Sequence, residues 1–207
     1  MGDLHLLDRA PPLALRATQA TSTQAAIALL IQDGARVLEV GCGSGDLISL
    51  LTRERRARVS GLESDPAKAQ ICVRRGLSVI QGDIQSDLEH FPSASFDYVV
   101  FAHTLLGMRD PLAAIRAAAR VGERIVVALD NAAHWRKRIR LMFNGRVADW
   151  NDQRACSIRD FATLSRDLHL TIERATPISG SHPGAPFAKR TGRANWFAEQ
   201  AVFLLAS

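Results

Sequence analysis

Two acidic side chains border a short glycine-rich segment in the first quarter of the chain. In RVLEVGCGSGD, residues 36–46, Glu39 precedes and Asp46 follows three alternating glycines, which are Gly41, Gly43 and Gly45. Glycine adopts positive φ at little cost and lets a ligand approach the backbone closely. Carboxylates beside such a turn repel a pyrophosphate and favour a ligand with positive charge and hydroxyl groups. The spacing GxGxG also differs from the GxGxxG of dinucleotide sites.

The glycine segment lies between a predicted strand and a predicted helix. The run VLEV, residues 37–40, is typical of a buried strand, and the leucines of DLISLLTRER, residues 46–55, have helical spacing. Further strands are predicted at 59–63, 77–83, 95–103 and 124–130, with helices after Asp65-Pro66 and from Pro111. Alternating strands and helices of these lengths predict βαβ crossovers and a parallel sheet.

The last part of the chain changes this pattern. Ser157, with Asp160 three residues later, predicts the start of a helix. The segments TIERATPI, residues 171–178, and WFAEQAVFLLA, residues 196–206, are then predicted as strands joined by a loop over 179–193. Two strands joined without a helix are expected to pair antiparallel. The sequence therefore predicts an α/β, Rossmann-like fold: a mostly parallel seven-stranded sheet that ends in an antiparallel hairpin, with helices on both faces.

Length and composition predict one domain. The 207 residues are 47% hydrophobic, enough for a core over residues 21–207, and residues 1–20 are expected to form a loose arm. Ser22 or Thr23 is expected to cap a first helix that ends near Gly34. No apolar run approaches the roughly 20 residues of a membrane span. Three scattered cysteines predict neither a disulfide framework nor a zinc site, and a cytoplasmic location is expected.

Acidic residues also end the next two predicted strands. Glu63 is placed to accept hydrogen bonds from ribose hydroxyls, and Asp83 to accept one from an adenine amino group beside the backbone N–H of Ile84. Ser64 follows Glu63 and is included in the predicted site. A solvated loop acid at Glu63 and a helix N-cap at Asp83 are the structural alternatives.

Two histidines are candidates for proton transfer. His103 ends the fourth predicted strand, where it could act as a general base or make a structural hydrogen bond. His134 opens the predicted helix HWRKRIRLMF. On that helix a stripe of Trp135, Ile139 and Met142 is expected to be buried, and Arg136, Lys137 and Arg140 to face solvent or an acidic ligand. The net charge of +5 is spread along the chain, so neither a nucleic-acid nor a membrane partner is expected.

These segments carry a family resemblance. The glycine segment resembles the first motif of class I methyltransferases, and the chain from about Arg36 to Leu205 resembles the methionine biosynthesis protein MetW family through RVLEVGCGSG, GLSVIQGDI, FPSASFDYVVFAHTLLGMRDP, RVGERIVVALDNAAHWRKRIRLMFNGR, CSIRDF and WFAEQAVFLL. The resemblance implies a class I methyltransferase fold, a site for S-adenosylmethionine or its product S-adenosylhomocysteine, and work with homoserine O-acyltransferase in methionine synthesis. It implies no established methyl acceptor.

The predicted cofactor site draws on all of these strand ends and contains no metal. Cys42 is expected to contribute only its backbone. The predicted residues are Glu39, Gly41, Cys42, Gly43, Gly45, Glu63, Ser64, Asp83, Ile84 and His103. Three functions remain open: an adenosylmethionine-binding MetW-like protein that acts through the acyltransferase, a small-molecule methyltransferase with His103 or His134 as base, or a sensor of adenosylmethionine and adenosylhomocysteine without chemistry.

Overall fold

One mixed sheet forms the centre of the molecule. A computed structural model describes residues 20–144, 155–180, 182–187 and 191–206. Over these residues the strands are β1 Arg36–Val40, β2 Arg58–Glu63, β3 Val79–Gln81, β4 Phe96–Ala102, β5 Gly122–Asp130, β6 Thr171–Ser179, β7 His182–Pro183 and β8 Gln200–Ala206. Their order in the sheet is β3-β2-β1-β4-β5-β8-β6-β7.

The strand order reverses between β1 and β4, and this reversal positions the site. β1 pairs in parallel with β2 on one side and β4 on the other, so Leu38 lies opposite both Ser60 and Val99. In such sheets ligands bind at the carboxyl ends of the strands, where the order reverses. The glycine segment follows β1 at this point.

Helices cover both faces, as predicted. They are α1 Ser22–Leu30, α2 Asp46–Arg55, α3 Pro66–Arg74, α4 Ile84–Asp87, α5 Pro111–Val121, α6 Trp135–Asn144, α7 Ile158–Asp167 and α8 Gly192–Phe197. One apolar cluster, which contains Phe161 and Ile115, packs α5 and α7 against the sheet. A second cluster, with Ile27 and Leu51, packs α1 and α2 on the opposite face. Within the described residues, none of the helices combines the length and apolar character needed to cross a membrane.

The helix caps follow local sequence with one correction. Asp65 accepts from the backbone N–H of Ala67 at 2.9 Å, as its position before a proline predicts. The capping box of Ser157 and Asp160 is also confirmed. Thr21, not the predicted Ser22 or Thr23, caps α1 because its hydroxyl accepts from Gln24 N–H while the Gln24 side chain returns to Thr21 N–H.

The antiparallel end of the sheet is confirmed, with two differences in detail. β8 pairs antiparallel with both β5 and β6. The sheet has eight strands and not seven, because residues 182–183 of the predicted loop pair with the end of β6 as β7. Trp196 and Phe197 belong to α8 and not to the last strand; the buried Asn131 side chain donates to the carbonyls of Asn195 and Ala198 and so stabilises this helix end. The predicted arm over residues 1–20 lies outside the described residues, apart from Ala20.

The stripe predicted to be buried on α6 is largely exposed. Ile139 is 44% exposed and Met142 is 80% exposed. The side chain of Arg140 lies outside the described residues. Periodicity shows which residues share a helix face, but whether another element covers that face depends on tertiary packing.

Candidate functional site

The three glycines of the turn after β1 have different roles. All three have φ between 57° and 80°, in the left-handed region. A Cβ at Gly41 would overlap the Thr104 side chain, and one at Gly45 would overlap Leu77 and the Cys72 sulfur. A Cβ at Gly43 would meet nothing within 4 Å. Gly41 and Gly45 therefore permit close packing, whereas Gly43 leaves an open space above the turn.

A first cleft of about 670 Å³ lies beside the ends of β2 and β3. Its lining includes Glu63, Ser64, Lys68, Asp83 and Arg109. Gly41, Gly43 and His103 form its border with a neighbouring cleft.

Glu63 is a buried carboxylate that holds the glycine turn. Only 5% of the residue is exposed. Its Oε2 accepts from the backbone N–H of Gly43 at 2.7 Å, and its Oε1 accepts from that of Asp65 at 2.9 Å. A carboxylate offers about four acceptor positions, so each oxygen keeps capacity for a further donor. Glu63 can therefore hold the turn and bind a pair of hydroxyl groups together.

Asp83 and Ile84 lie where β3 gives way to α4. Asp83 is exposed, lines the first cleft, and its carbonyl accepts from Asp87 N–H at 2.9 Å as the first turn of α4 forms. Ile84 begins this helix, and its side chain lies outside the described residues. Gly82 N–H donates to the Glu63 carbonyl, which fixes the end of β3 against that of β2.

A second cleft of about 510 Å³ lies on the other side of the turn. It is bounded by α1, the ends of β1 and β4, and the start of β8. Three carboxylates, those of Glu39, Asp46 and Glu199, line it, and its described lining contains no lysine or arginine. A cationic group in this cleft would therefore meet carboxyl oxygens and no lysine or arginine of the described lining.

Glu39 is the most unusual group in this cleft. It is 3% exposed, and its Oε2 is buried with no hydrogen-bond partner among the described residues. Burial, together with the nearby carboxylates of Asp46 and Glu63, raises the pKa of Glu39 to about 8. A buried acceptor without a partner is costly, and a bound cation would supply one.

Asp46 does not share this property. Its carboxylate accepts from Arg75 Nη1 at 2.7 Å and from the Ser44 hydroxyl at 2.9 Å. The hydrogen bond from Arg75 is the main cause that lowers the pKa of Asp46. The sequence suggested two ligand-facing acids beside the turn, but the charge of Asp46 is already balanced, which leaves Glu39 as the unpaired one.

His103 lies between the two clefts, beside a chain of hydrogen bonds that ends at Asp130. Its φ is 64°, and its Nδ1 is 3.8 Å from Asp130 Oδ2. Asp130 Oδ1 accepts from Gln200 Nε2 at 2.8 Å, and Gln200 Oε1 accepts from the Thr23 hydroxyl at 2.6 Å. This arrangement orients Asp130 towards Nδ1 of His103, so that Nε2 is the atom left for a ligand.

Sequence reasoning missed Asp130, Gln200 and Thr23. Gln200 is 70 residues from Asp130 and 177 from Thr23 in sequence, so no local spacing connects them. The one available signal was the position of Asp130 at the carboxyl end of a predicted parallel strand, where ligand-binding groups gather.

Two predicted residues occupy positions less suited to chemistry. His134 is 6% exposed and lines neither cleft, and its carbonyl accepts the first backbone bonds of α6. Burial raises the pKa of the Cys42 thiol, which favours the protonated, unreactive form. Within the described part of the chain, no group of three or more His, Cys, Asp or Glu side chains is arranged to hold a metal ion.

Comparison with known proteins supports the fold. A solved S-adenosylmethionine-dependent methyltransferase from Thermotoga maritima aligns over 89% of this chain and 87% of its own, with a TM-score of 0.65 and 18% identity. Such low identity shows the fold alone.

Among curated relatives, the bifunctional methionine biosynthesis protein MetXA/MetW of Rhodopirellula baltica is 26% identical over 163 residues, which are 70% of this chain and 26% of that protein. A ubiquinone biosynthesis O-methyltransferase of Xanthomonas oryzae is 40% identical over 93 residues, 42% of this chain and 38% of that enzyme. The matches thus span well under half of these relatives. The family model for "Methionine biosynthesis protein MetW" matches residues 22–205. The chain therefore belongs to the MetW family.

Proposed function

We propose that this protein binds S-adenosylmethionine and acts with a homoserine O-acyltransferase in methionine synthesis in the cytoplasm. The observation that carries the binding proposal is the open face of Gly43 between two buried acids, Glu63 with spare acceptor capacity and Glu39 with an oxygen that lacks a partner. An adenosine group needs hydroxyl acceptors, and an amino acid tail with a sulfonium needs negative charge. The first cleft contains the hydroxyl acceptor Glu63, and the second contains Glu39, which would ionise when it binds the cation.

The residues present fit the group. Ribose hydroxyls would be accepted by Glu63, the adenine amino group by Asp83, and the methionine ammonium group by Glu39. When bound, adenosylmethionine would supply an electrophilic methyl group, and His103 lies at the border of the two clefts. The remaining contacts are proposed for the turn and the strand ends, through Gly41, Cys42, Gly43, Gly45, Ser64 and the backbone of Ile84.

Calorimetry with the purified protein tests the binding proposal. We expect both adenosylmethionine and adenosylhomocysteine to bind at one site, and NAD not to bind, because a pyrophosphate would meet the acidic lining of the turn. Uptake of NAD with no response to either of the other two ligands would refute the assignment.

The partner proposal is supported by the family and by the relative from Rhodopirellula baltica, whose name joins MetXA and MetW in one protein. The test is co-purification of this protein with the acyltransferase of the same organism, followed by an acyltransferase assay with and without this protein. We expect a stable complex and a change in acyltransferase rate. If the two proteins neither associate nor affect each other's activity, the partner proposal is wrong. Repeating the assay across adenosylmethionine concentrations measures any coupling between ligand and partner.

A second candidate function is that of a small-molecule methyltransferase. It is favoured by the hydrogen bonds that link Thr23, Gln200 and Asp130 beside His103. Asp130 Oδ2 lies 3.8 Å from Nδ1 of His103, and Nε2 of His103 would be the atom that takes the proton from an acceptor when bound adenosylmethionine supplies the methyl group. Positioning supplies most of the catalysis in such a transfer. Release of adenosylhomocysteine from carboxylate, amine and phenol acceptors tests this candidate, and no turnover with any of the three classes would count against it.

A further inference from the structure

An exposed apolar surface lies on two neighbouring helices. On α6, Met142 and Phe143 are 80% and 81% exposed, and on α8, Trp196 and Phe197 are 49% and 60% exposed. We call these four residues, together with the 44% exposed Ile139, the α6–α8 patch, since α6 and α8 meet where Arg138 lies over the Trp196 ring. Single exposed apolar residues are common on protein surfaces, but a group of large ones on adjoining helices is typical of a binding surface.

The two helices are held together and do not expose these residues independently. The guanidinium of Arg138 on α6 lies 4.5 Å from the ring centroid of Trp196 on α8. Asn131, which precedes α6 and is fully buried, donates to the carbonyls of Asn195 and Ala198 at the end of α8. The hydrogen bonds of the buried Asn131 side chain therefore fix the α8 side of the patch to the rest of the fold.

The patch adjoins the second cleft. The Asn131 backbone N–H donates to the carbonyl of Glu199 at 2.8 Å, and Glu199 lines that cleft two residues after the end of α8. The carbonyl of Phe197 accepts from the Ser179 hydroxyl, which joins the same corner to β6. A protein seated on the patch would thus contact the rim of the cleft proposed to hold the methionine end of the ligand.

Charge beside the patch indicates the chemistry of its partner. Arg136 and Lys137 are exposed on α6, and Arg138 lies between α6 and α8. A surface with an apolar centre and a cationic border is complementary to an apolar groove with carboxylates along its edge.

We propose that the α6–α8 patch is the surface on which the acyltransferase docks, an inference that rests on the proposed function and assigns it a place. The relative that joins MetXA and MetW portions in one protein favours this partner over a second copy of the chain or a lipid surface. Anchoring through the buried Asn131 gives the rigid, preformed shape that a specific protein interface uses, whereas a helix that binds a lipid surface needs no such partner helix.

The test compares two charge insertions at equivalent helix positions. Phe143→Glu lies at the penultimate residue of α6, and the control Val73→Glu lies at the penultimate residue of α3, where Val73 is 62% exposed away from the patch. Calorimetry measures the affinity of each full-length variant for the purified acyltransferase and for adenosylmethionine. We expect Phe143→Glu to weaken acyltransferase binding at least tenfold with unchanged adenosylmethionine binding, and Val73→Glu to change neither.

Each alternative outcome has a distinct meaning. If the wild-type protein binds the acyltransferase and Phe143→Glu binds it equally well, the docking surface is elsewhere and this inference is wrong while the proposed function stands. If the wild-type protein does not bind the acyltransferase, the partner proposal itself fails and the inference with it. Light scattering and sedimentation with phosphatidylserine vesicles are run in parallel. Self-association or vesicle binding that Phe143→Glu abolishes, with acyltransferase binding intact, would assign the patch to that other contact.

Discussion

The buried carboxyl of Glu39 makes a measurable prediction about stability. Its pKa is about 8 in the folded protein, against an ordinary value of 4.5. The folded state therefore holds a proton that the unfolded state releases, so the stability contribution of this group falls as pH rises from about 5 to 8. Linkage gives a loss of about 2.5 kcal/mol between pH 5 and pH 7. Glu39→Gln, which has nearly the same shape and does not titrate, should remove that loss.

Urea unfolding of both proteins at pH 5 and pH 7 provides the measurement. We expect the free energy of unfolding of Glu39→Gln minus that of wild type to be about 2.5 kcal/mol larger at pH 7 than at pH 5, so that the variant gains relative stability as pH rises. Taking the difference between proteins cancels the opposite trend of groups such as Asp97, whose pKa is lowered by hydrogen bonding to Arg36. Glu89→Gln, at an exposed glutamate, is the control. A relative stability that does not change with pH would refute the burial argument.

Three further predictions concern the ligand. Binding of a cation requires ionised Glu39, and with a pKa of about 8 the ionised fraction of Glu39 is about ninefold larger at pH 7 than at pH 6. Adenosylmethionine should therefore bind about ninefold more tightly at pH 7. Calorimetry should show that this pH dependence is retained in His103→Asn and lost in Glu39→Gln. Gly43→Val should abolish ligand binding because the side chain enters the open space. Both Gly43→Val and Gly45→Val place a valine at positive φ, but Gly45→Val should lower the melting temperature further because its side chain also overlaps Leu77; equal melting temperatures for the two variants would contradict this division. Glu63→Ala should weaken binding by about 1.5 to 3 kcal/mol through lost hydrogen bonds to a charged group, and unchanged affinity would exclude Glu63 from the ribose contact.

Local sequence was sufficient for much of the fold. The cap at Asp65 and the capping box at Ser157 are made by residues at most three positions apart, so the sequence alone specifies them. The parallel strands follow from apolar runs separated by helical periods, because such runs are stable only inside a covered sheet. The last strand was placed too early, since an apolar pair such as Trp196 and Phe197 fits a strand and an exposed helix equally well.

Part of the candidate site could likewise be predicted from local sequence, and part depends on tertiary contacts. The glycine spacing and the acids at the strand ends could be read in sequence because each follows its own strand. The different roles of the three glycines depend on which side chain lies next to each one, such as Thr104 at Gly41 and Leu77 at Gly45. The α6–α8 patch was likewise invisible, because sequence periodicity does not show whether a helix face is covered.

The amino-acid order by itself determined the family, the order of strands and helices, and the acids that end β1, β2 and β3, because these are properties of short segments. Tertiary structure decided which acid has a partner: Arg75, the residue after α3, neutralises Asp46, while Glu39 is enclosed without a cation among the described residues. It also decided that residues as distant as Thr23, Asp130 and Gln200 meet beside His103. Charge balance and burial are set by what surrounds a side chain in space, and that is fixed only when the whole chain packs.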